Sequence, residues 1–294
     1  MLISYSPQQA EALSSLPCLF QQPPWDRCRG VVHREGGLPR AAALFPFVPF
    51  QKRTALCLFG EEGEHFAPLI AAALEQARSL GLLLVTTDLP YGSHPFAEKG
   101  GLVPWFTTRH MVYEGEPLPE PLSPIPYEDP WYRAYQDLIA QAFLPLRRAM
   151  DVPPHRMLPS VEDRFSCAQH RRDIFLFLKN RQLMGAVSLD ESGLLNNLAV
   201  SPAFQGQGVG KGILAFAVNR LLAQGQTPTL EVLDWNEKAV RLYENQGFVT
   251  RSRRSLYRRD LPPKTDILQK ALGIAQGLSV SKKWLRPLFR VFAR

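Results

Sequence analysis

The feature that most constrains the fold of this chain is a glycine loop between an apolar strand and an amphipathic helix. The strand pattern covers Leu194 to Val200, the loop reads Gln-Gly-Gln-Gly-Val-Gly from Gln205 to Gly210, and the helical pattern continues to Gly225. Glycine removes the side chains that keep a ligand away from the main chain. The N–H groups at the start of a helix attract anions. This order of elements therefore predicts a phosphate site at the start of the helix.

A second strand and a second helix follow the loop. The apolar strand is Thr229 to Leu233, and Asn236 is a favourable residue for beginning a helix. Gly247 is a typical stop signal for that helix. The helical side chains that share one face, at spacings of three and four, are Ala239, Leu242 and Tyr243.

The ordered series Q-x-x-G-x-G, then a strand, then N-x-x-A-x-x-L-Y-x-x-x-G-F resembles the GCN5-related N-acetyltransferase (GNAT) superfamily. The resemblance covers Asp173 to Asp260. It implies an N-acetyltransferase that moves an acetyl or other short acyl group from acyl-coenzyme A to a primary amine, by direct attack in a ternary complex. The acceptor would be a small amine, an amino acid, or the N-terminus or a lysine of a peptide or protein. The implied co-substrate is acetyl-coenzyme A, and no metal is implied.

The resemblance also implies which residues hold the coenzyme. Backbone amides at the end of a bulged strand would contact the pantetheine arm and polarise the thioester carbonyl. The loop and the first helical turn would hold the pyrophosphate, and Asn236 would hydrogen-bond the coenzyme. Lys211 has two open interpretations, a phosphate contact or a solvated lysine. The implied set is Leu198, Ala199, Val200, Gln205, Gly206, Gln207, Gly208, Val209, Gly210, Lys211 and Asn236.

Two residues are candidates for proton transfer. Tyr243 is the implied general acid, because a phenol with a pKa of about 10 stays protonated at neutral pH; simple packing against the sheet is the alternative. Many members of the superfamily have a glutamate on the strand before the loop, where this chain has Asn196 and Asn197. Glu231 is the substitute base, acting through water, or else a sheet-face carboxylate paired with an arginine. Asn197 and Tyr257 are assigned to the acceptor.

The sequence leaves the acceptor open. The spacing of Glu231, Asn236 and Tyr243 is similar to that of the ribosomal-protein N-terminal acetyltransferases, whereas the Trp235-Asn236 pair resembles the diamine and thialysine acetyltransferases. A non-enzymatic regulator or tethering module that binds acyl-coenzyme A is the alternative function. Further candidates for contacts with the acceptor are Tyr132, Tyr135, Glu162 and Asp163.

The first half of the chain has a similar order of elements with a different loop. Strand and helix patterns run from Thr54 to Tyr113, and Gly60 to His65 puts carboxylates where the second half has glycines, which repels a pyrophosphate. We predict an α+β protein with two GNAT-like domains, each a mixed, mostly antiparallel twisted sheet flanked by helices. The degenerate copy would cover 1–120 and the catalytic domain 121–262, with a proline-rich linker at Pro117 to Asp129. An unrelated α+β domain is the alternative for the first half.

The last segment, 263–294, is predicted to be a basic amphipathic helical tail. From Arg251 onward there are twelve Lys and Arg and two Asp, which account for the net charge of +7. Such a tail docks on the protein, or contacts a membrane surface or nucleic acid. The four cysteines lack C-x-x-C spacing, and no signal peptide or membrane-spanning apolar run is evident. These features favour a cytoplasmic location.

Overall fold

A computed structural model describes residues 1–19, 23–49, 51–119, 121–152 and 154–262. The chain forms two compact units, and their boundaries fall inside two long strands instead of in the proline-rich segment. Of the described residues, the first unit contains Met1–Thr108 and 253–262, and the second contains Arg109–Ser252. The predicted tail at 263–294 lies outside the described residues. None of the helices in the described ranges has the length and apolar character needed to span a bilayer.

The first unit is built from two groups of paired strands. Its elements are β1 (Leu2–Ser4), α1 (Ala10–Ser14), β2 (Cys28–Glu35), β3 (Leu38–Pro46), β4 (Arg53–Ala55), β5 (Cys57–Phe59), α2 (Phe66–Ser79), β6 (Leu84–Pro90), α3 (Pro95–Lys99) and the start of β7 (Val103–Tyr113). One sheet has the order β1-β2-β3-β5 and is antiparallel throughout. The first of the strand patterns that begin at Thr54 is divided at Leu56, since β4 pairs in parallel with β6 whereas β5 pairs with β3.

The second unit is a mixed sheet flanked by helices. Its elements are the end of β7, β8 (Ile125–Pro126), α4 (Tyr132–Ala149), α5 (Val161–Gln169), β9 (Ile174–Lys179), β10 (Gln182–Leu189), β11 (Leu194–Val200), α6 (Val209–Ala223), β12 (Thr229–Leu233), α7 (Glu237–Glu244) and the start of β13 (Phe248–Asp260). The strand order is β13-β7-β12-β11-β10-β9-β8. The pairs from β9 to β11 are antiparallel, and β11 pairs in parallel with β12.

Helices cover both faces of this sheet, which explains why β9 contains an unbroken run of apolar residues. Side chains alternate between the faces of a strand. Phe175 and Phe177 join the core that contains α6 and α7, whereas Ile174 and Leu176 join the core that contains α4. Two helices, α6 and α7, are therefore held on one face and helix α4 on the other.

The proline-rich segment is fixed along α6 and is not a free spacer. The backbone N–H of Leu118 donates to Asn219 Oδ1 at 2.7 Å, and Asn219 Nδ2 donates to the Leu118 carbonyl at 2.8 Å. Leu122 N donates to the Gly212 carbonyl at 3.1 Å. A Cβ at Gly212 would lie only 2.6 Å from Leu122 Cγ, so glycine at this position permits the close approach.

The core of the second unit supports a stability prediction. Phe177→Ala is expected to lower the free energy of unfolding by about 3–5 kcal/mol, because truncation leaves a cavity as well as removing buried area. The side chain is 0% exposed and its ring lies 5.5 Å from that of Phe216. Equilibrium urea unfolding followed by circular dichroism measures the change. Phe165→Ala is the control, because that ring is 64% exposed on α5; equal effects of the two variants would contradict the prediction.

Candidate active site

Strand β11 contains the predicted bulge. Its register with β10 shifts between Ala199 and Asn196, so that Asn197 and Leu198 together lie opposite Val187. Asn197 has φ of 52°, in the left-handed region that asparagine enters more readily than most residues. A bulge interrupts the ladder of backbone hydrogen bonds. Main-chain groups at the end of β11 are therefore not all committed to the sheet.

Strands β11 and β12 are neighbours only where they begin. Leu194 pairs with Thr229 and Leu195 with Leu230. β11 then continues to Val200 and β12 continues to Leu233 without further pairing between these two described strands. Pairing therefore stops before the carboxyl ends of the two strands, and we call the region between these unpaired ends the cleft.

The glycine loop lies at the start of α6, beyond the end of β11. Gly206 and Gly208 have φ of 76° and 80°, and no atom lies within 4 Å of the position that a Cβ would take on either residue. Residues 205–208 are exposed. Gly212 N bonds back to the Gly208 carbonyl at 3.1 Å. The N–H groups of the first helical turn, which have no acceptors within a helix, therefore face an open surface.

Local contacts hold this loop in place. Gln205 Nε2 donates to the Val200 carbonyl at 3.2 Å, and Gln207 Nε2 donates to the Ala203 carbonyl at 2.9 Å. A Cβ at Gly210 would lie 3.5 Å from Val200 Cγ2 and 3.8 Å from Leu242 Cδ2, so the first turn sits against β11 and α7. The apolar side chains that anchor α6 in the core are Val209, Ile213 and Leu214. Lys211 is exposed beside the loop.

Helix α7 carries two of the predicted residues. Asn236 occupies the N-cap position, but its side chain makes no capping hydrogen bond. Tyr243 is half-buried, its ring lies 5.9 Å from that of Phe248, and burial raises the pKa of Tyr243 to about 12. Among the described residues, no group hydrogen-bonds its hydroxyl. The phenol is thus a proton-bearing donor that remains free to meet a ligand.

Glu231, the predicted base, has a partner that the sequence did not suggest. Glu231 Oε1 lies 3.1 Å from His110 Nδ1, and the two side chains are 30% and 34% exposed. This hydrogen bond raises the pKa of His110, against the opposing effect of burial. His110 is on β7, 121 residues earlier in the chain. No local motif marks it, because only the sheet brings the two residues together.

The residues assigned to the acceptor are divided between the units. Asn197 Nδ2 donates to Ser188 Oγ at 3.3 Å. Burial raises the pKa of Tyr135, and a hydrogen bond with Asn197 acts in the opposite direction. Tyr257 is 2% exposed in the core of the first unit, where its hydroxyl accepts a hydrogen bond from His94 N at 3.2 Å. The structure therefore brings Asn197 and Tyr135 together but places Tyr257 in another environment.

The other acceptor candidates have structural partners. Tyr132 donates from its hydroxyl to the Ser160 carbonyl at 2.7 Å, and Asp163 N donates to Ser160 Oγ where α5 begins. Glu162 is exposed. Within the ranges that the structure covers, no group of three His, Cys, Asp or Glu side chains could hold a metal ion.

The arrangement can be compared with known proteins. The model of the acetyltransferase (GNAT) family matches residues 130–248. The [ribosomal protein bS18]-alanine N-acetyltransferase of Escherichia coli is 34% identical over 128 residues, which are 42% of this chain and 83% of that protein. This chain belongs to the GNAT acetyltransferase family. The protein of the same name from Haemophilus ducreyi is 49% identical over 61 residues, which are 20% of this chain and 41% of that protein.

Solved structures agree with this membership at the level of the fold. A GCN5-related N-acetyltransferase from Sphaerobacter thermophilus superposes with a TM-score of 0.65 at 14% identity, over 89% of this chain and 96% of that one. A tandem GNAT protein from the clavulanic acid biosynthesis pathway has a TM-score of 0.52 at 14% identity, over 90% of this chain and 99% of that one. The predicted enzyme class, a GNAT N-acetyltransferase, and the α+β fold with a mixed sheet flanked by helices are both confirmed.

Proposed function

We propose that the second unit transfers an acetyl group from acetyl-coenzyme A to a primary amine by direct attack in a ternary complex. The observation that carries the proposal is the exposed glycine loop at the start of α6, next to the cleft between β11 and β12. GNAT enzymes use acetyl-coenzyme A, whose thioester is the acyl donor. The empty space around Gly206 and Gly208 fits a diphosphate that approaches the main chain.

The proposed coenzyme contacts follow from this geometry. The amides from Gly206 to Lys211 hold the pyrophosphate, with Gln205 fixing the loop to the strand. Lys211 adds a positive charge. A cation is unfavourable at a helix N-terminus, and the bound pyrophosphate compensates for this cost. The main chain of Leu198, Ala199 and Val200 binds the pantetheine arm. The side-chain amide of Asn236, which makes no capping hydrogen bond, is available to the same arm.

In the proposed chemistry one side chain acts on the attacking amine and another acts on the departing sulfur. Glu231 supplies the negative charge that makes removal of the amine proton favourable, and Asn197 orients the acceptor. Tyr243 donates a hydrogen bond to the departing thiolate, a role that its raised pKa preserves throughout the neutral range. The backbone of the bulge polarises the carbonyl of the donor.

We propose the α-amino group of a peptide or protein as the acceptor. Support comes from the relatives at 34% and 49% identity, both named for acetylation of an alanine in a ribosomal protein. A diamine acceptor is the competing proposal, and it rests on the Trp235-Asn236 pair, whose indole is 47% exposed beside the site. Peptides with an N-terminal alanine and diamines at equal concentration should give different kcat/KM values, with the peptides faster.

Release of coenzyme A by the full-length protein tests the proposed function. A panel of small amines, amino acids and peptides is incubated with acetyl-coenzyme A, and the free thiol is followed with time. Turnover with at least one acceptor is expected. Binding of acetyl-coenzyme A without turnover on any of them would instead support a regulatory or tethering module.

We also propose that the first unit is a degenerate copy of the same fold. The divided strand β4–β5 pairs in parallel with β6 and antiparallel with β3, as β11 does with β12 and β10. Two of the three carboxylates of its loop are engaged internally, because Glu62 lies 2.8 Å from His94 Nδ1 and Glu64 lies 2.8 Å from Lys99 Nζ. These contacts support a loop that is closed to a phosphate.

Calorimetry tests the degenerate copy. Titration of the whole chain with acetyl-coenzyme A is expected to give one equivalent per chain, because only the loop of the second unit presents bare glycines. Two equivalents would contradict the proposal. Glu62→Gln is the accompanying variant, and it should leave the stoichiometry at one.

A further inference from the structure

We propose that His110 is the group that accepts the proton of the amine, and that Glu231 positions it. The proposal rests on the proposed acetyl transfer and refines where the proton goes. From the sequence, Glu231 was either a base acting through water or a sheet-face carboxylate paired with an arginine. The structure instead gives this carboxylate a histidine partner from β7.

The hydrogen bond fixes the tautomer of the imidazole. An ionised carboxylate only accepts hydrogen bonds, so His110 Nδ1 must carry the hydrogen that points to Glu231 Oε1. The lone pair of a neutral ring is then on Nε2. Among the described residues, no group hydrogen-bonds that nitrogen. A carboxylate that orients a histidine and leaves its second nitrogen free is a recurrent arrangement for a general base.

The position of the pair relative to the cleft is also suitable. Glu231 directly follows Leu230, the last residue of β12 that pairs with β11. Leu230 and Val232 face the core with α6, so Glu231 projects from the opposite face of the strand. That is the face on which Tyr135 and Ala199 pack. The amine therefore approaches from the side where Asn197 lies next to Tyr135.

The ammonium form of the acceptor gives one proton to His110 Nε2, which makes an imidazolium beside the Glu231 carboxylate. The neutral amine then forms the new C–N bond while the C–S bond of the thioester breaks. The second amine proton goes, in net balance, to the departing sulfur near Tyr243. The imidazolium returns its proton to solvent through its exposed side.

The surrounding charges make this pair the main determinant of the pH dependence. On β12 the facing group is Glu231, and on β13 Arg251 is paired with Glu114. The neighbouring Arg109 is paired with Asp234 and Glu244. Because only the neutral ring accepts a proton, activity should rise with pH through the pKa of His110, which Glu231 raises above its ordinary value. Removal of the carboxylate should move this rise to lower pH.

The test compares His110→Gln and Glu231→Gln with wild type in the full-length chain. Coenzyme A release is measured from pH 5.5 to 9.5 with the best acceptor of the panel, and the affinity for acetyl-coenzyme A is measured by calorimetry. His110→Gln keeps an N–H that can bond Glu231 but cannot take up a proton. Its kcat at pH 7 is expected to fall about 100-fold, within the range for loss of a general base. The affinity for acetyl-coenzyme A should stay within about twofold.

Further measurements separate the outcomes. His170→Gln is the matched control, since it removes an exposed histidine from a pair with Asp173, and it should leave kcat and the pH profile unchanged. In Glu231→Gln, kcat should also fall and the rise with pH should move down. NMR of labelled histidine should show Nδ1 protonated in neutral His110.

A His110→Gln variant that retains wild-type kcat and pH profile, while Glu231→Gln is inactive, would overturn the role of His110 and leave the proposed function intact. A histidine signal with Nε2 protonated would also overturn it. Absence of turnover by wild type on the whole panel would remove the proposed function itself, and this inference with it.

Discussion

Gly208→Glu is expected to weaken the binding of acetyl-coenzyme A by about 100-fold or more. The variant places a carboxylate at the proposed anion site, where its charge would repel the diphosphate and its side chain would fill the space next to the main chain. The backbone at this position has φ of 80°, which a residue with a Cβ adopts at a cost. Calorimetry with the purified protein measures the dissociation constant, and coenzyme A release should be lost in parallel.

Gly225→Glu provides a matched control for that experiment. Gly225 follows the other end of the same helix, has φ of 71°, and also has no atom within 4 Å of a Cβ position. The two variants therefore carry the same side chain and a similar backbone cost. If Gly225→Glu weakened acetyl-coenzyme A binding as much as Gly208→Glu, the effect would come from the helix and not from the loop, and the assigned phosphate site would be wrong.

Tyr243→Phe is expected to reduce kcat about 100-fold with little change in the KM for acetyl-coenzyme A. The substitution keeps the ring that packs near Phe248 and removes only the hydroxyl that we propose faces the departing sulfur. The raised pKa of about 12 means that the hydroxyl keeps its proton at neutral and mildly alkaline pH. Wild type should therefore show no loss of kcat from this group up to about pH 10.

Tyr257→Phe is the control for loss of a tyrosine hydroxyl. Its hydroxyl bonds His94 N in the core of the first unit, so the variant should lose some stability but keep its kcat. If kcat fell as much as in Tyr243→Phe, Tyr257 would have to be assigned to the active site. Unchanged kcat in Tyr243→Phe would instead leave that residue with a packing role alone.

The loop and the two helices around it could be predicted because their signals are local. Glycines with open space around them, the apolar spacing of α6 and the stop at Gly247 each depend on a few neighbouring residues. The helix predicted from Val209 ends at Ala223, two residues before Gly225, and β11 and β12 have the bounds that the apolar runs indicated. Local chemistry is sufficient for such elements.

Other features depend on contacts between distant parts of the chain, which a single sequence does not encode visibly. His110 was one residue of a strand assigned to the first half, and only the sheet order places it beside Glu231. Tyr257 was assigned by its place near the end of the second half, but β13 is 13 residues long and carries it into the first unit. The division of the strand at Leu56 is likewise set by two different neighbours.

The position of β7 in the sheet limits which fragments of this protein can fold. Arg109 to Tyr113 lie between β12 and β13 in the sheet of the second unit, yet the match to the family model begins at residue 130. A fragment chosen from that match would lack β7 and nearly all of β13, and the edge of β12 would be left with unpaired backbone donors and acceptors. Such a fragment should precipitate instead of folding, so excision of the recognisable half gives an insoluble product and not a minimal enzyme.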